Sequence, residues 1–246
     1  MLLCAVQLAS LKGDVPGNVQ RHVACIEQAA NVGAELVVFP ELSLTGYQPT
    51  LARQAALPLS STRLDPLQAA CDRLGVTVAV GLPLPTPNGI RIGMPIFSPC
   101  APRQAYAKRR LHDDELPYFC PGDEGLLLRI AGHSVAPAIC FESMFMAHDA
   151  AAHNQGADLY LVRVAKTAKG IREGYTHYPQ VAQELGMTVL MANCVGPADT
   201  FIGAGGSAAW GSDGRLLAHL DEQREGLLLL DTDAASASVF AMDTSA

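Results

Sequence analysis

The chain has 246 residues, 49% hydrophobic and 17% charged, which is enough apolar material for a substantial core and excludes a disordered chain. Its formal net charge of -7 at pH 7 leaves no basic footprint for nucleic acid or an anionic membrane, so neither is an expected partner. No linker, repeat or low-complexity segment divides it, and a single domain over residues 1–246 is expected.

Residues 2–9 read as a first buried strand. The opening MLLCAVQLAS lacks a basic leader, and Lys12 and Asp14 cut the apolar run short, which argues against a signal peptide. No run reaches the roughly 20 apolar residues that a membrane-spanning helix needs. The seven cysteines, at positions 4, 25, 71, 100, 120, 140 and 194, are odd in number and show no C-x-x-C spacing. Reduced thiols in a cytoplasmic protein without a metal site are therefore expected.

Pro16-Gly17-Asn18 opens a helix whose Val19, Val23, Ile26 and Ala30 share one face, and Gly33 ends it. ELVVFPE follows as a fully buried strand capped by Pro40 and Glu41. A second helix over 62–74 stops at Gly75, and VTVAVGLP is the next strand. Strands are predicted over 90–98 and 103–109, then in LLLRIA and SVAPAIC, before a helix across MFMAHDAAAHNQ that ends near Gly156. ADLYLVRVA is strand-like, 171–185 helical and TVLMANCVG strand-like. A hairpin turns at Asp213-Gly214 and a last strand is EGLLLLDTD. Alternating strands and helices, with strands buried on both faces and hairpins interspersed, argue for an α/β fold with mixed sheets.

Three segments carry chemistry. Glu41 ends a buried strand, where desolvation raises a carboxyl toward the range of a general acid or base, although a carboxylate there can also simply start a solvated loop. In AYAKRRL, Tyr106, Lys108 and Arg110 would share one strand face with Arg109 on the other, either as a source of positive charge for a reacting carbonyl or as a solvated edge. Cys140 closes SVAPAIC, where a strand hands over to a helix and a nucleophile is well presented, but most cysteines are buried structural thiols. A thiol near pKa 8.5 needs a base or cation beside it to react at neutral pH.

Together, the contexts FPELSLTGY, AYAKRRL and AIC-FE, in the order Glu, Lys, Cys, resemble the motifs of the nitrilase superfamily of carbon–nitrogen hydrolases. The aromatic two before Lys108 and Leu111 three after it fit the lysine motif and favour Lys108 over Arg109 and Arg110. Glu115, followed by Tyr118, Phe119 and Pro121-Gly122, matches the second glutamate of that family, with Asp113 and Asp114 as adjacent rivals. MANCVG and GAGGSAAWGSDGRLLA are similar to its C-terminal segments, so the likeness spans nearly the whole chain.

The resemblance implies a four-layer α-β-β-α sandwich of two stacked mixed sheets, paired into a homodimer or higher homo-oligomer. It implies an amidase that cleaves a small amide or N-carbamoyl compound through a thioester on Cys140, without metal or cofactor; a nitrilase or an acyltransferase is the alternative. Glu41, Lys108, Cys140 and Glu115 would be catalytic, and the Phe141 backbone N–H would join Lys108 in holding the oxyanion. Arg163 and Lys166 stand where many relatives carry an aromatic or small apolar residue. If their loop faces the pocket, they bind a substrate carboxylate and favour an ω-amide or N-carbamoyl acid.

Overall fold

A computed structural model describes residues 1–242. The first half of the chain runs β1 (Leu2–Gln7), α1 (Val15–Asn31), β2 (Leu36–Val38), α2 (Ala52–Ala55), α3 (Asp65–Leu74), β3 (Thr77–Ala79), β4 (Leu82–Thr86), β5 (Gly89–Phe97) and β6 (Gln104–Ala107). The second half begins β7 (Leu128–Ile130), β8 (His133–Ile139), α4 (Met146–Asn154), β9 (Leu159–Val164), α5 (Ala168–Leu185) and β10 (Thr188–Asn193). It ends with β11 (Val195–Ala198), β12 (Phe201–Ala204), β13 (Ala208–Trp210), β14 (Leu216–His219), β15 (Gly226–Asp231) and β16 (Ser236–Ala241).

One large sheet has the order β16-β15-β1-β2-β3-β5-β4, with β6 also on β5; a second has β14-β13-β10-β9-β8-β7; and β11 and β12 form a separate two-stranded sheet. Each of the two large sheets is parallel at its centre (β1–β2–β3 and β8–β9–β10) and antiparallel at its edges. Period-two alternation of side chains decides the layering. Leu3, Ala5, Leu36 and Val38 of the first sheet meet Leu159, Leu161, Leu190 and Ala192 of the second in one central core. The alternate residues Cys4, Val6 and Val37 pack under Val19, Ile26, Leu67 and Cys71 of α1 and α3. Tyr160, Val162, Val189 and Met191 pack under Tyr178, Val181 and Ala182 of α5. Strands covered on both sides read as continuous apolar runs, and the result is a four-layer α-β-β-α sandwich of two mixed sheets.

Several elements depart from their predicted bounds. β2 stops at Val38 because Pro40 has no N–H to extend the ladder. VTVAVGLP splits at Gly81 into β3 and β4. The predicted strand over 103–109 ends at Ala107, so Arg110 does not share a strand face with Lys108; it is exposed and lies over the Phe145 ring, 3.4 Å from its centroid. MFMAHDAAAHNQ holds the end of a 3-10 turn (Cys140–Met144) and then α4. α5 starts three residues earlier than predicted, where the Thr167 side chain caps Gly170 N. The hairpin at Asp213-Gly214 forms as predicted, with Gly214 at φ 81. EGLLLLDTD is followed by one more strand, β16, whose largely exposed residues carry little hydrophobic signal. Among the described residues, no helix is long and apolar enough to cross a membrane.

Candidate active site

Glu41 follows β2 in a loop held on three sides. Leu42 turns the chain at φ 51. A Cβ on Gly81 would lie 2.2 Å from Leu42 N, so only glycine lets this loop rest on the backbone between β3 and β4. His22 fixes the far side: its Nδ1 meets Asn18 O at 2.6 Å and its Nε2 meets Ser43 Oγ at 2.9 Å. Burial, above all, depresses His22 to about 3, so the ring is neutral, with Nδ1–H donating to the carbonyl and Nε2 accepting from the serine. Ser43 Oγ in turn accepts from Gly81 N at 3.1 Å.

Arg163 secures the strand side. Its Nε donates to Phe39 O at 2.6 Å and its Nη2 to Pro40 O at 2.8 Å. It is fully buried, and desolvation lowers its pKa to about 9 despite the attraction of Glu41.

Lys108 lies just past β6 and is fully buried. Its Nζ donates to Glu41 Oε1 at 2.8 Å and to Glu115 Oε1 at 2.6 Å. Burial opposes its charge, but the neighbouring carboxylates and the Cys140 sulfur outweigh that and raise the pKa, so the ammonium persists. An ammonium has three N–H donors, and two are engaged here. Glu115 is itself fixed by Tyr47, whose hydroxyl donates at 3.0 Å, and by His112 N at 2.7 Å.

Cys140 follows β8 on the first residue of the 3-10 turn and adopts φ 50. A left-handed conformation at a non-glycine residue costs about 1–3 kcal/mol and persists only when its surroundings enforce it. Glu142 supplies that enforcement. Its carboxylate accepts from Ile139 N at 2.7 Å, Tyr106 Oη at 2.7 Å, and Arg109 N at 2.7 Å. One buried side chain thus ties the turn after Cys140 to the segment carrying Lys108.

The Cys140 thiol lies beside the Glu41 carboxyl and favours its ionised form, yet Glu41 Oε2 has no aligned hydrogen-bond partner. Burial and then the charge of Glu41 push the thiol up to about 12, against the pull of Lys108 and Lys166. At neutral pH the sulfur therefore carries its proton. Burial also raises Glu41, while Lys108 draws it down. The result is a protonated thiol beside a basic carboxylate.

A cavity of about 340 Å³ opens over this group, lined among others by Tyr47, Lys108, Glu115, Cys140, Phe141 and Lys166. Glu41, Lys108 with Glu115, and Cys140 are thus brought together from three remote stretches of chain, and Phe141 and Lys166 reach the same cavity. Arg163 does not line it; facing the Phe39 and Pro40 carbonyls, it is committed beneath Glu41, not to a ligand. The two cations read together from YLVRVAK therefore separate: Arg163 lies within β9, and Lys166 lies two residues past its end. Sequence reasoning missed Tyr47, visible as the last residue of SLTGY, and Glu142, visible only as the acid after Cys140-Phe141. Among the described residues, no group of three or more His, Cys, Asp or Glu side chains is arranged to hold a metal ion.

A family profile described as carbon-nitrogen hydrolase matches residues 2–241. An amidase from Nesterenkonia sp. AN1 is similar in structure, with a TM-score of 0.86 and 26% identity over 94% of this chain and 92% of that one. A variant of that amidase in complex with butyramide gives a TM-score of 0.87 at 25% identity, covering 96% and 92% of the two chains. In sequence, the glutamine-dependent NAD(+) synthetase of Xylella fastidiosa is 29% identical over 215 residues. That match covers 83% of this chain but only 39% of the synthetase, so the chain spans about two fifths of such relatives. A hydrolase of Mycobacterium tuberculosis is 28% identical over 228 residues, covering 87% of this chain and 81% of its own length. With the profile spanning nearly all of it, the chain belongs to the carbon-nitrogen hydrolase family.

Proposed function

We propose that the protein is an amidase that hydrolyses a small amide or N-carbamoyl compound through a thioester on Cys140. The observation that carries this reading is the Lys108 ammonium bonded to both Glu41 and Glu115 beside the Cys140 thiol, at the base of an open cavity. Likeness to the Nesterenkonia amidase supports it.

In this scheme Glu41 takes the thiol proton as Sγ attacks the carbonyl carbon, since a sulfur protonated up to about 12 is not a standing thiolate. The carbonyl π pair moves onto oxygen, where the third N–H of Lys108 and the N–H of Phe141 receive it. Phe141 suits that task because the first N–H groups of a helical turn find no carbonyl within the turn. Glu41 then returns its proton to the departing nitrogen as the C–N bond breaks. A water enters, gives a proton to Glu41 and attacks the thioester; the acid leaves and the sulfur regains its proton. Glu115 holds Lys108 in place throughout. The scheme runs on side chains and backbone alone.

Ammonia release from a panel of small amides, carbamoyl compounds and nitriles tests the reading. Release from amides, with the matching acid as product, supports it. Turnover of nitriles alone, or transfer of the acyl group to an added amine in preference to water, would replace it.

A further inference from the structure

We infer that Lys166 forms an anion subsite, so that the preferred substrate carries a carboxylate at the end remote from the amide. The inference rests on the reading of this cavity as the substrate site. It begins with a side chain that is nine-tenths buried, 9% exposed, and lines the same cavity as Cys140. Among the described residues, its ammonium makes no hydrogen bond and no ion pair; only its backbone is engaged. An unpaired ammonium on the wall of an open cavity is free to form a charge-assisted hydrogen bond with a ligand's carboxylate.

The acidic groups that line the cavity have hydrogen-bond or ion-pair partners of their own. Glu115 belongs to Lys108, Asp114 Oδ1 meets His112 Nδ1 at 2.7 Å, and Glu173 stands 3.9 Å from Lys169 Nζ. Lys169 is well exposed, so that pair is weak and leaves the buried site to Lys166.

The position of Lys166 is built. Asn193 Oδ1 accepts from Lys166 N at 2.9 Å, and Lys166 O accepts from Ala204 N at 3.0 Å and Asn193 Nδ2 at 3.3 Å. The aliphatic stem runs over Gly170, where a Cβ would come within 3.3 Å of Lys166 Cβ and Cγ. Thr167, the next residue, caps the 18-residue α5, whose N-terminal dipole adds positive potential at the same wall. Phe141, Met144 and Phe201 add apolar lining to the same cavity, which suits a short methylene chain. Amide at Cys140, methylenes between, carboxylate at Lys166: this describes a monoamide of a short dicarboxylic acid or an N-carbamoyl amino acid.

Two measurements test it, one independent of amide hydrolysis. First, alkylation of Cys140 by 5-iodopentanoate and by 5-iodopentanamide, which set three methylenes between the attacked carbon and the carboxylate or amide, is followed by mass spectrometry in the wild type, Lys166→Met and Lys166→Arg. Removing a cation slows both reagents through the thiol, so the ratio of the two rates is the readout. The ratio of the 5-iodopentanoate rate to the 5-iodopentanamide rate should fall about tenfold in Lys166→Met, as expected for one lost charge-assisted contact, and recover in Lys166→Arg. An unchanged ratio would overturn the anion subsite whether or not the protein is an amidase. Second, kcat/KM for glutaramic acid is compared with that for pentanamide. A preference for the acid that collapses in Lys166→Met, mainly through KM, supports the inference; equal turnover of the two by the wild type contradicts it. Ammonia from neither substrate, with an alkylation ratio that still falls in Lys166→Met, would count against the amidase reading and leave the subsite standing.

Discussion

Arg163 Nε donates to the carbonyl of Phe39 at 2.6 Å, two residues before Glu41. With the second bond to Pro40 O, the guanidinium grips the peptide that delivers the carboxylate, and its remaining nitrogen, Nη1, is buried without a partner. Lysine cannot reproduce that fork. Arg163→Lys should therefore fold yet lose turnover by about 10²-fold, the scale of a reacting group displaced by about 1 Å. Steady-state kinetics beside a thermal melt separate this from simple destabilisation; unchanged kcat would remove Arg163 from any positioning role.

Gly81→Ala presses the same loop from the other side. The new methyl would fall 2.2 Å from Leu42 N and 2.6 Å from Ser43 N, both backbone atoms that cannot rotate away. A loss of about 3 kcal/mol in urea unfolding is expected, the upper range for an overpacked site. Stability within about 0.5 kcal/mol of wild type would show that the loop moves more freely than its contacts suggest.

Glu41 must be ionised to accept the thiol proton, and burial raises its pKa. The acidic limb of kcat/KM should thus lie above the ordinary glutamate value of about 4.3, with activity lost as pH falls through it. Because the thiol titrates only near 12, no rise should appear near the ordinary thiol value of about 8.5. Glu41→Gln should cut the rate by about 10² to 10⁴. A rise near 8.5 would instead indicate a standing thiolate and a different proton path.

His22 gives a stability prediction with a fixed sign. Its folded pKa is lowered to about 3, chiefly by burial, against about 6.5 in the unfolded chain. The unfolded state therefore binds the proton first. The contribution of this residue is complete above about pH 6.5 and is lost, at about 1.4 kcal/mol per pH unit, as pH falls toward 3. Between pH 7 and pH 5, the wild type should lose about 2 kcal/mol more than His22→Gln in chemical denaturation. Equal losses would mean that the ring is charged in the fold.

Much of this was legible from local sequence. Glu41 and Cys140 announce themselves because each ends an apolar run, Lys108 and Glu115 show only through the short motifs around them, and the two-sided burial of β1, β2, β9 and β10 shows as largely apolar runs. What stayed hidden depends on contacts between distant stretches. Lys108 and Glu41 are 67 residues apart, and Arg163 and Phe39 are 124 apart. Arg163 and Lys166 look alike in YLVRVAK; that β9 ends between them, with Asn193 holding the Lys166 backbone, cannot be read from the segment itself. Tyr47 and Glu142 were readable as residues but not as partners. β16 was missed for another reason: an exposed edge strand needs few apolar residues, so SASVFA lacks the pattern that marks a buried one.

Ammonia release by Cys140→Ala, set against the wild type on the same small amide, tests the central claim most directly. The account predicts a folded protein with an unchanged melting profile and no turnover, because no other group can carry the acyl intermediate. Turnover at the wild-type rate by the folded variant would contradict it.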